Sequence, residues 1–264
     1  MTGVRTVLQA YGRRVAVHLP DAVVEEVLRR LPPAYARTDG TAERMWAATE
    51  HGGSWTGQVD GEVLAVGDEP LVLAEALLSD LELWVAEHAE DRVFIHAGCV
   101  VVRGRAIVLP GRTMSGKTSL TAALVQAGAT YFSDEYAVLD SSGRVQPYAR
   151  LLSIRPYDGS APRRVDVADL GGRAGQGCVP VGLVAHLRYQ PGGPGLSPLT
   201  PGAAALALID NCVPARTRPV EVLDAVTAAV RGVVAVAGTR GDAQAAAAEL
   251  LSIAAWSDDV TDER

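Results

Sequence analysis

Residues 105–118 read Arg-Ala-Ile-Val-Leu-Pro-Gly-Arg-Thr-Met-Ser-Gly-Lys-Thr, and this stretch decides the fold class. An apolar run that favours a strand leads into a glycine-rich segment, which fits the pattern G-x-x-x-x-G-K-[ST] over residues 111–118. Apolar residues at helical spacing follow, up to residue 127. A strand that turns through glycines into a helix is typical of α/β proteins with a phosphate-binding loop.

The residue types in this loop suit a nucleoside triphosphate. The glycines let backbone N–H groups turn inward around an anion, and the following helix adds the positive end of its dipole. Lys117 is predicted to reach the β and γ phosphates, and the Thr118 hydroxyl to bind Mg²⁺. Lys117 is also the only lysine among 24 basic residues, the rest being arginine. The predicted ATP-binding residues are Gly111, Arg112, Thr113, Met114, Ser115, Gly116, Lys117, Thr118 and Ser119.

Two adjacent acids follow this helix. Asp134 and Glu135 come after the short β-rich run Tyr131–Ser133, so we expect both carboxylates at the end of the strand next to the loop strand, beside the γ phosphate. One acid would hold Mg²⁺, directly or through water, and the other would accept the proton of an attacking hydroxyl. The alternative is a pair of solvated turn acids.

Two further side chains are candidates for the same site. His96 interrupts the apolar run 93–102, where it is either a core histidine with a satisfied hydrogen bond or a group at the strand edge near the phosphates. Arg155 ends the predicted strand 151–155, where it would neutralise phosphate charge or lie on the surface.

The rest of the chain predicts an accessory α+β region over residues 1–90 and a catalytic domain over 91–264. The first region shows a strand at 15–18, helices at 21–31 and 71–89, and a hairpin at 55–66 that turns at Asp60-Gly61. In the second, we expect strands at 93–102, 105–109, 131–133, 136–139, 144–148, 151–155 and 181–189, an irregular segment at 157–177, and helices at 116–127, after Thr200, at Pro219 and after Asp242.

Composition excludes several classes of function. The 264 residues are enough for a full core, and a net charge of -7 provides no positive field for general nucleic-acid binding. Neither a membrane span nor a signal peptide is visible, so a cytoplasmic location is the default expectation. The three cysteines are widely spread and lack metal-ligand spacing, which argues against disulfides and zinc.

Three motifs in order resemble the catalytic domain of HPr kinase/phosphorylase and its kinase-only relatives, a domain related in fold to phosphoenolpyruvate carboxykinase. They are Phe94-Ile95-His96-Ala97-Gly98, then Leu109-Pro110 with the loop, then Ser133-Asp134-Glu135. The motifs cover about residues 90–160. The resemblance therefore implies a P-loop kinase domain with a mixed β-sheet, with ATP and Mg²⁺ as cofactors.

By this resemblance, Asp134 is the catalytic base toward a serine hydroxyl and Glu135 helps to bind Mg²⁺. His96 matches a family histidine, and Arg155 falls near a family arginine. Glu135 stands where the bifunctional enzyme has Asp, and that enzyme's E-x-R-G-type signature is missing after Leu151, so phosphorylase activity is not expected. The kinase-only relatives include enzymes that phosphorylate ribosomal peptide precursors, which suggests a peptide or protein serine as acceptor. Relatives form symmetric oligomers, which implies a homo-oligomer.

Two other functions stay open at the level of sequence. Small-molecule kinases of the shikimate or nucleoside type also place an acid one short helix after the loop, but they normally begin at the loop strand. Here a hairpin precedes the loop and another follows the acids, which predicts a mixed sheet. A non-catalytic nucleotide-binding regulator would bind ATP without turning it over. ATP turnover separates this regulator from both kinases, and an acceptor screen separates the kinases from each other.

Overall fold

The structure is a computed structural model that describes residues 4–111, 115–154, 163–193 and 195–256. The chain divides into two compact units, Met1–Asp91 and Arg92–Arg264. The boundary falls one residue after the one expected from sequence.

The first unit is built on a mixed six-stranded sheet in the order β3-β1-β2-β4-β5-β6. Its strands are β1 (Val4–Ala10), β2 (Arg13–Leu19), β3 (Ala36–Thr38), β4 (Arg44–His51), β5 (Ser54–Val59) and β6 (Glu62–Gly67). β2 and β4 are parallel, and the chain crosses between them through helix α1 (Asp21–Arg30). The β5–β6 hairpin turns at Asp60 and Gly61, both at positive φ, as the sequence predicted.

Helix α2 (Val72–His88) completes this unit. Its leucines at helical spacing are buried, among them Leu73, Leu77 and Leu81. These residues pack toward β5, β6 and α1. The apolar periodicity seen in the sequence therefore marks the buried face of this helix.

The second unit contains an eight-stranded sheet with the path β11-β10-β7-β8-β14-β16-β15, and β9 also pairs with β7. The strands are β7 (Val93–Val102), β8 (Arg105–Pro110), β9 (Thr130–Ser133), β10 (Tyr136–Leu139), β11 (Val145–Gln146), β14 (Val181–Tyr189), β15 (Leu196–Pro198) and β16 (Val234–Arg240), with a separate pair β12 (Leu152–Ile154) and β13 (Arg163–Val165). β8, β14 and β16 are parallel, whereas β7 runs antiparallel to β8, β9 and β10. The predicted mixed sheet is confirmed.

Helices cover both faces of this sheet. On one face α4 (Pro201–Ile209) and α5 (Pro219–Ala229) form a core with sheet residues such as Val108 and Val184. On the other face α3 (Lys117–Gln126) and α6 (Ala243–Trp256) pack around Leu124, Leu183 and Leu250. This α/β architecture agrees with the predicted fold class.

The structure adds elements that the sequence pattern did not indicate. β1, β3, β4, β13, β15 and β16 were not predicted. Part of the segment expected to be irregular, 157–177, is regular, since it holds β13 and a 3-10 helix at Val167–Leu170. Asp166 caps this helix by accepting a hydrogen bond from Ala168 N. β3, β13 and β15 have only three residues each, which is too short a run to show a period.

No helix in the described ranges combines the length and the apolar character that crossing a bilayer requires.

Candidate functional site

The glycine-rich loop (residues 111–118) joins the end of β8 to the start of α3. Gly116 precedes the first helical residue with a φ of +84°, in the left-handed region where a side chain would be strained. A Cβ at Gly116 would also lie 2.3 Å from Arg240 Nη2. Glycine at this position therefore allows both the turn into the helix and the close approach of an arginine. Arg112, Thr113 and Met114 lie outside the described residues.

Arg240 connects this loop to a distant strand. Its Nη2 donates a hydrogen bond to the Gly116 carbonyl at 2.8 Å, and its Nη1 donates to the Gly241 carbonyl at 3.0 Å. The residue is only 7% exposed although it is charged. Residues 116 and 240 lie at the ends of different elements, so this contact holds the start of α3 against the end of β16.

Two polar groups in the loop fit an anion. Ser115 Oγ is buried and has no hydrogen-bond partner in the described part of the chain. Lys117 Nζ donates to the Gly111 carbonyl at 2.6 Å, so the lysine folds back over the loop. Burial lowers the pKa of Lys117, while the charges of Glu135 and Asp134 act in the opposite direction. A bound phosphate would supply the negative charge that this half-buried ammonium group favours.

Asp134 lies opposite the first turn of α3, and its carboxylate is held from several sides. Thr118 Oγ1 donates to Asp134 Oδ2 at 3.0 Å, and the Tyr131 hydroxyl lies 3.0 Å from Asp134 Oδ1. Ser153 N also points at Oδ2, at 3.4 Å. The Asp134 side chain is 1% exposed. Burial, and then the charge of Asp134, raise the pKa of Tyr131 well above its ordinary value, so this hydroxyl stays a donor.

Both acids lie at an interruption in pairing along one edge of β7. Ser133, at the end of β9, pairs with Cys99, and Tyr136, at the start of β10, pairs with His96. Ser133 Oγ accepts from the backbone N–H groups of Glu135 and Tyr136, at 3.1 and 2.9 Å, which stabilises the break. The sequence pattern predicted that the acids lie at the end of the strand next to the loop strand. This was wrong by one strand, because β7 lies between β8 and β9.

Glu135 is the more accessible acid, with a side chain that is 31% exposed. Its Oε1 lies 3.5 Å from His96 Nδ1, and its Oε2 accepts from Arg150 Nη2 at 3.2 Å. Burial alone would raise the pKa of Glu135. The hydrogen bond from His96 and the charges of Arg150, His96 and Lys117 outweigh this effect and lower the pKa. The carboxylate is therefore ionised at neutral pH.

His96 connects the acids to the loop through its backbone. Its carbonyl accepts from Gly111 N at 3.1 Å, and its own N–H donates to the Asn211 carbonyl at 2.8 Å. Its ring lies at 4.9 Å from that of Tyr136, and 35% of the side chain is exposed. The structure thus places the imidazole at the site and beside Glu135.

The structure brings together Lys117, Thr118, Asp134, Glu135 and His96, while Ser119 is exposed on α3. Arg155 lies outside the described residues. Sequence reasoning missed Arg150, whose Nε lies 3.8 Å from Asp134 Oδ1, and also Tyr131 and Arg240. Tyr131 stands three residues before Asp134, but no local pattern marks any of these three residues as part of a site.

The donor set fits Mg²⁺ bound together with phosphates. In the described residues no group of three or more His, Cys, Asp and Glu side chains could hold a metal. Mg²⁺ commonly takes only one or two carboxylates and completes its shell with waters and substrate phosphates. Thr118 Oγ1 and Asp134 Oδ2 are hard oxygen ligands of this kind beside the loop.

Fold and site together define a mixed α/β protein in which a glycine-rich loop between a strand and a helix faces two carboxylates. No protein-family model matches the chain, and the comparison with curated proteins found no significant match.

Proposed function

We propose that the protein is an ATP-dependent kinase that transfers the γ-phosphoryl group to a hydroxyl. The hydrogen bond between Thr118 and Asp134 carries the proposal, because it unites the first turn after the loop with a buried carboxylate. This pairing supports the interpretation of residues 111–118 as a phosphate-binding loop.

The chain's own groups would bind and orient the triphosphate. Backbone N–H groups at the start of α3 and the Lys117 ammonium group would hold its β and γ phosphates. Thr118 and Asp134 would hold Mg²⁺, which neutralises charge on the phosphates. Ser115 Oγ, which is buried and has no hydrogen-bond partner among the described residues, supports this assignment, since an anion in the loop would give it a partner.

The contacts of the two acids favour a division of roles that is the reverse of the one implied by resemblance. Asp134 is enclosed and accepts hydrogen bonds from Thr118 and Tyr131, which suits a carboxylate that binds the metal ion. Glu135 is partly exposed beside His96, where an acceptor hydroxyl can reach it. In the reaction, the hydroxyl oxygen bonds to the γ phosphorus, the bond to the β–γ bridging oxygen breaks, ADP leaves, and Glu135 takes the hydroxyl proton.

Arg150 and His96 would position Glu135 rather than react. They hold its two oxygens separately, at 3.2 and 3.5 Å, so the carboxylate keeps one orientation. Arg150 also brings positive charge toward Asp134. Three cationic or hydrogen-bonding groups, Lys117, Arg150 and His96, thus surround two acids in a partly buried site.

The antiparallel β7–β8 hairpin before the loop supports an HPr kinase-like catalytic domain rather than a kinase of the shikimate type. On this basis the proposed acceptor is a serine of a peptide or protein, and the proposed assembly is a homo-oligomer in the cytoplasm. The unit Met1–Asp91 is then an accessory region of this kinase.

The direct test is incubation with Mg-ATP and candidate serine-containing peptides, with intact-mass analysis of the products. We expect a mass increase of one phosphoryl group on an acceptor, and its loss in Lys117→Ala. A small hydroxyl metabolite that accepts phosphate in place of peptides would point to the small-molecule kinase. ATP binding without any turnover would overturn the kinase and favour the nucleotide-binding regulator.

A further inference from the structure

The glycine-rich loop has the two acids on one side and the ends of β14 and β16 on the other. The sheet order places β7, with the acids on its far edge, on one side of β8, and β14 and β16 on the other side. Because β8, β14 and β16 are parallel, their carboxyl ends meet at one edge of the sheet, where ligands of open α/β sheets bind. A ligand that points one end toward the acids therefore extends its other end toward β14 and β16.

An aromatic side chain lies at the carboxyl end of β14. Tyr189 is the last residue of this strand and is 49% exposed. Leu183, Ala185 and Leu187, which alternate along β14 with the same parity, belong to the core under α3 and α6. By this alternation the Tyr189 ring lies on the α3 side of the sheet, the side on which the loop enters its helix.

Tyr189 is also next to the loop itself. A Cβ built on Gly116 would be 4.0 Å from the Tyr189 Cβ. The Arg240 guanidinium, which donates to the Gly116 carbonyl, lies 5.4 Å from the centre of the Tyr189 ring. Tyr189 and Arg240 are paired residues of neighbouring strands. The arginine therefore holds both the ring and the loop.

A small cavity lies on this side of the loop. Its volume is about 10 Å³, and Ser115, Lys117, Leu187 and Arg240 are among the residues that line it. Its walls thus join the loop residues that would hold phosphates to the strands that carry the aromatic pair.

We propose that Tyr189, supported by Arg240, forms the subsite for the nucleobase of the phosphoryl donor, and that it takes a purine by stacking. This inference rests on the proposed function, because it assigns the other end of the same nucleotide. A half-exposed ring offers a π face, and a purine has the larger face to cover it. Stacking does not depend on a hydrogen-bond pattern, so this subsite separates purines from bare polyphosphate more strongly than adenine from guanine.

The test compares ATP with inorganic tripolyphosphate, both with Mg²⁺, by calorimetric titration of the full chain. Tyr189→Ala should weaken ATP binding on the order of tenfold and leave tripolyphosphate binding unchanged, because only the base loses its contact. Tyr189→Phe, which keeps the ring, should bind ATP like the original protein. Arg188→Ala changes the neighbouring residue on the opposite face of β14 and serves as the matched control.

The outcomes separate this inference from the function on which it rests. If the original chain binds neither ATP nor tripolyphosphate, the nucleotide site itself fails. If it binds both, and Tyr189→Ala weakens both equally or neither, the base subsite is overturned while the phosphate site stands. If Arg188→Ala reproduces the ATP-specific loss, the assignment to the α3 face of β14 is overturned.

Discussion

The Thr118 hydroxyl donates a 3.0 Å hydrogen bond to Asp134 Oδ2, across 16 residues of chain. Thr118 is in the first turn of α3, whereas Asp134 follows β9 at the break in pairing along β7. The contact joins the hydroxyl residue that follows the single lysine to a buried acid. It also orders the site before any ligand arrives, because the acid is held by groups from two elements.

Removal of this hydroxyl should weaken metal-dependent binding. Thr118→Val keeps the shape of the side chain but leaves Asp134 Oδ2 without its side-chain donor. We expect the gain in ATP affinity on adding Mg²⁺ to fall by about 10- to 100-fold, the usual worth of a hydrogen bond to a charged group. Calorimetric titration of ATP with and without Mg²⁺ measures this gain in affinity. Thr118→Ser retains a hydroxyl and should restore the gain; equal loss in both variants would contradict the role.

Substitutions of the two acids should impair different steps, phosphoryl transfer for Glu135 and Mg²⁺-dependent ATP binding for Asp134. Glu135→Gln should reduce phosphoryl transfer by at least about 100-fold while ATP affinity with Mg²⁺ stays close to that of the original protein. Asp134→Asn should instead lose the Mg²⁺-dependent part of ATP binding. Single-turnover transfer and equilibrium titration on both variants distinguish the steps. If Asp134→Asn binds Mg-ATP normally but does not transfer phosphate, and Glu135→Gln stays active, Asp134 is the catalytic base.

The turn between β10 and β11 should stabilise the fold in a pH-dependent way. Asp140 Oδ1 accepts from Ser142 N, Ser142 Oγ and Arg144 N, at 2.9, 2.7 and 2.9 Å. Burial alone would raise the pKa of Asp140, but these hydrogen bonds outweigh it and lower the pKa below 3.8. The ionised carboxylate therefore stabilises the fold above pH 3.8, and this contribution is lost as pH falls through the lowered pKa.

Asp140→Ala should accordingly lower the free energy of unfolding by about 1 kcal/mol at pH 7, and by less at pH 2 to 3. Denaturant unfolding at both pH values measures the difference. Asp140→Asn keeps an acceptor without the charge and should show a smaller loss at pH 7. A loss that grows on acidification would contradict the assignment.

Two glycines with the same backbone conformation should tolerate alanine very differently. Gly143 and Gly104 have φ values of +76° and +77°. A Cβ at Gly143 would lie 2.3 Å from the backbone N of Ala229 in α5, whereas a Cβ at Gly104 meets nothing within 4 Å. Gly104→Ala should cost about 1 kcal/mol from backbone strain alone. Gly143→Ala should cost at least about 2 kcal/mol more, since the backbone of α5 must shift.

Thermal or chemical unfolding of the Gly143→Ala and Gly104→Ala variants checks this difference. Equal destabilisation would show that α5 does not pack against this turn as described.

Local patterns in the sequence predicted much of the architecture. The β-rich runs 93–102 and 105–109, the helix after Lys117 and the hairpin at Asp60-Gly61 were predicted to within one or two residues. Each of these elements shows its period or turn residues within its own length. By contrast, β16 was missed although it pairs with strands on both sides, because an Ala- and Val-rich run of seven residues has no period of its own.

The sequence by itself determined the loop, its lysine and the two acids that follow, because their residue types and spacing are local. Only the tertiary structure brought Arg150, Tyr131 and Arg240 to this site, and only it placed β7 between the loop strand and the acids. Arg240 meets Gly116 across 124 residues. Such contacts depend on strand order and register, which arise from long-range pairing that no short window of sequence contains.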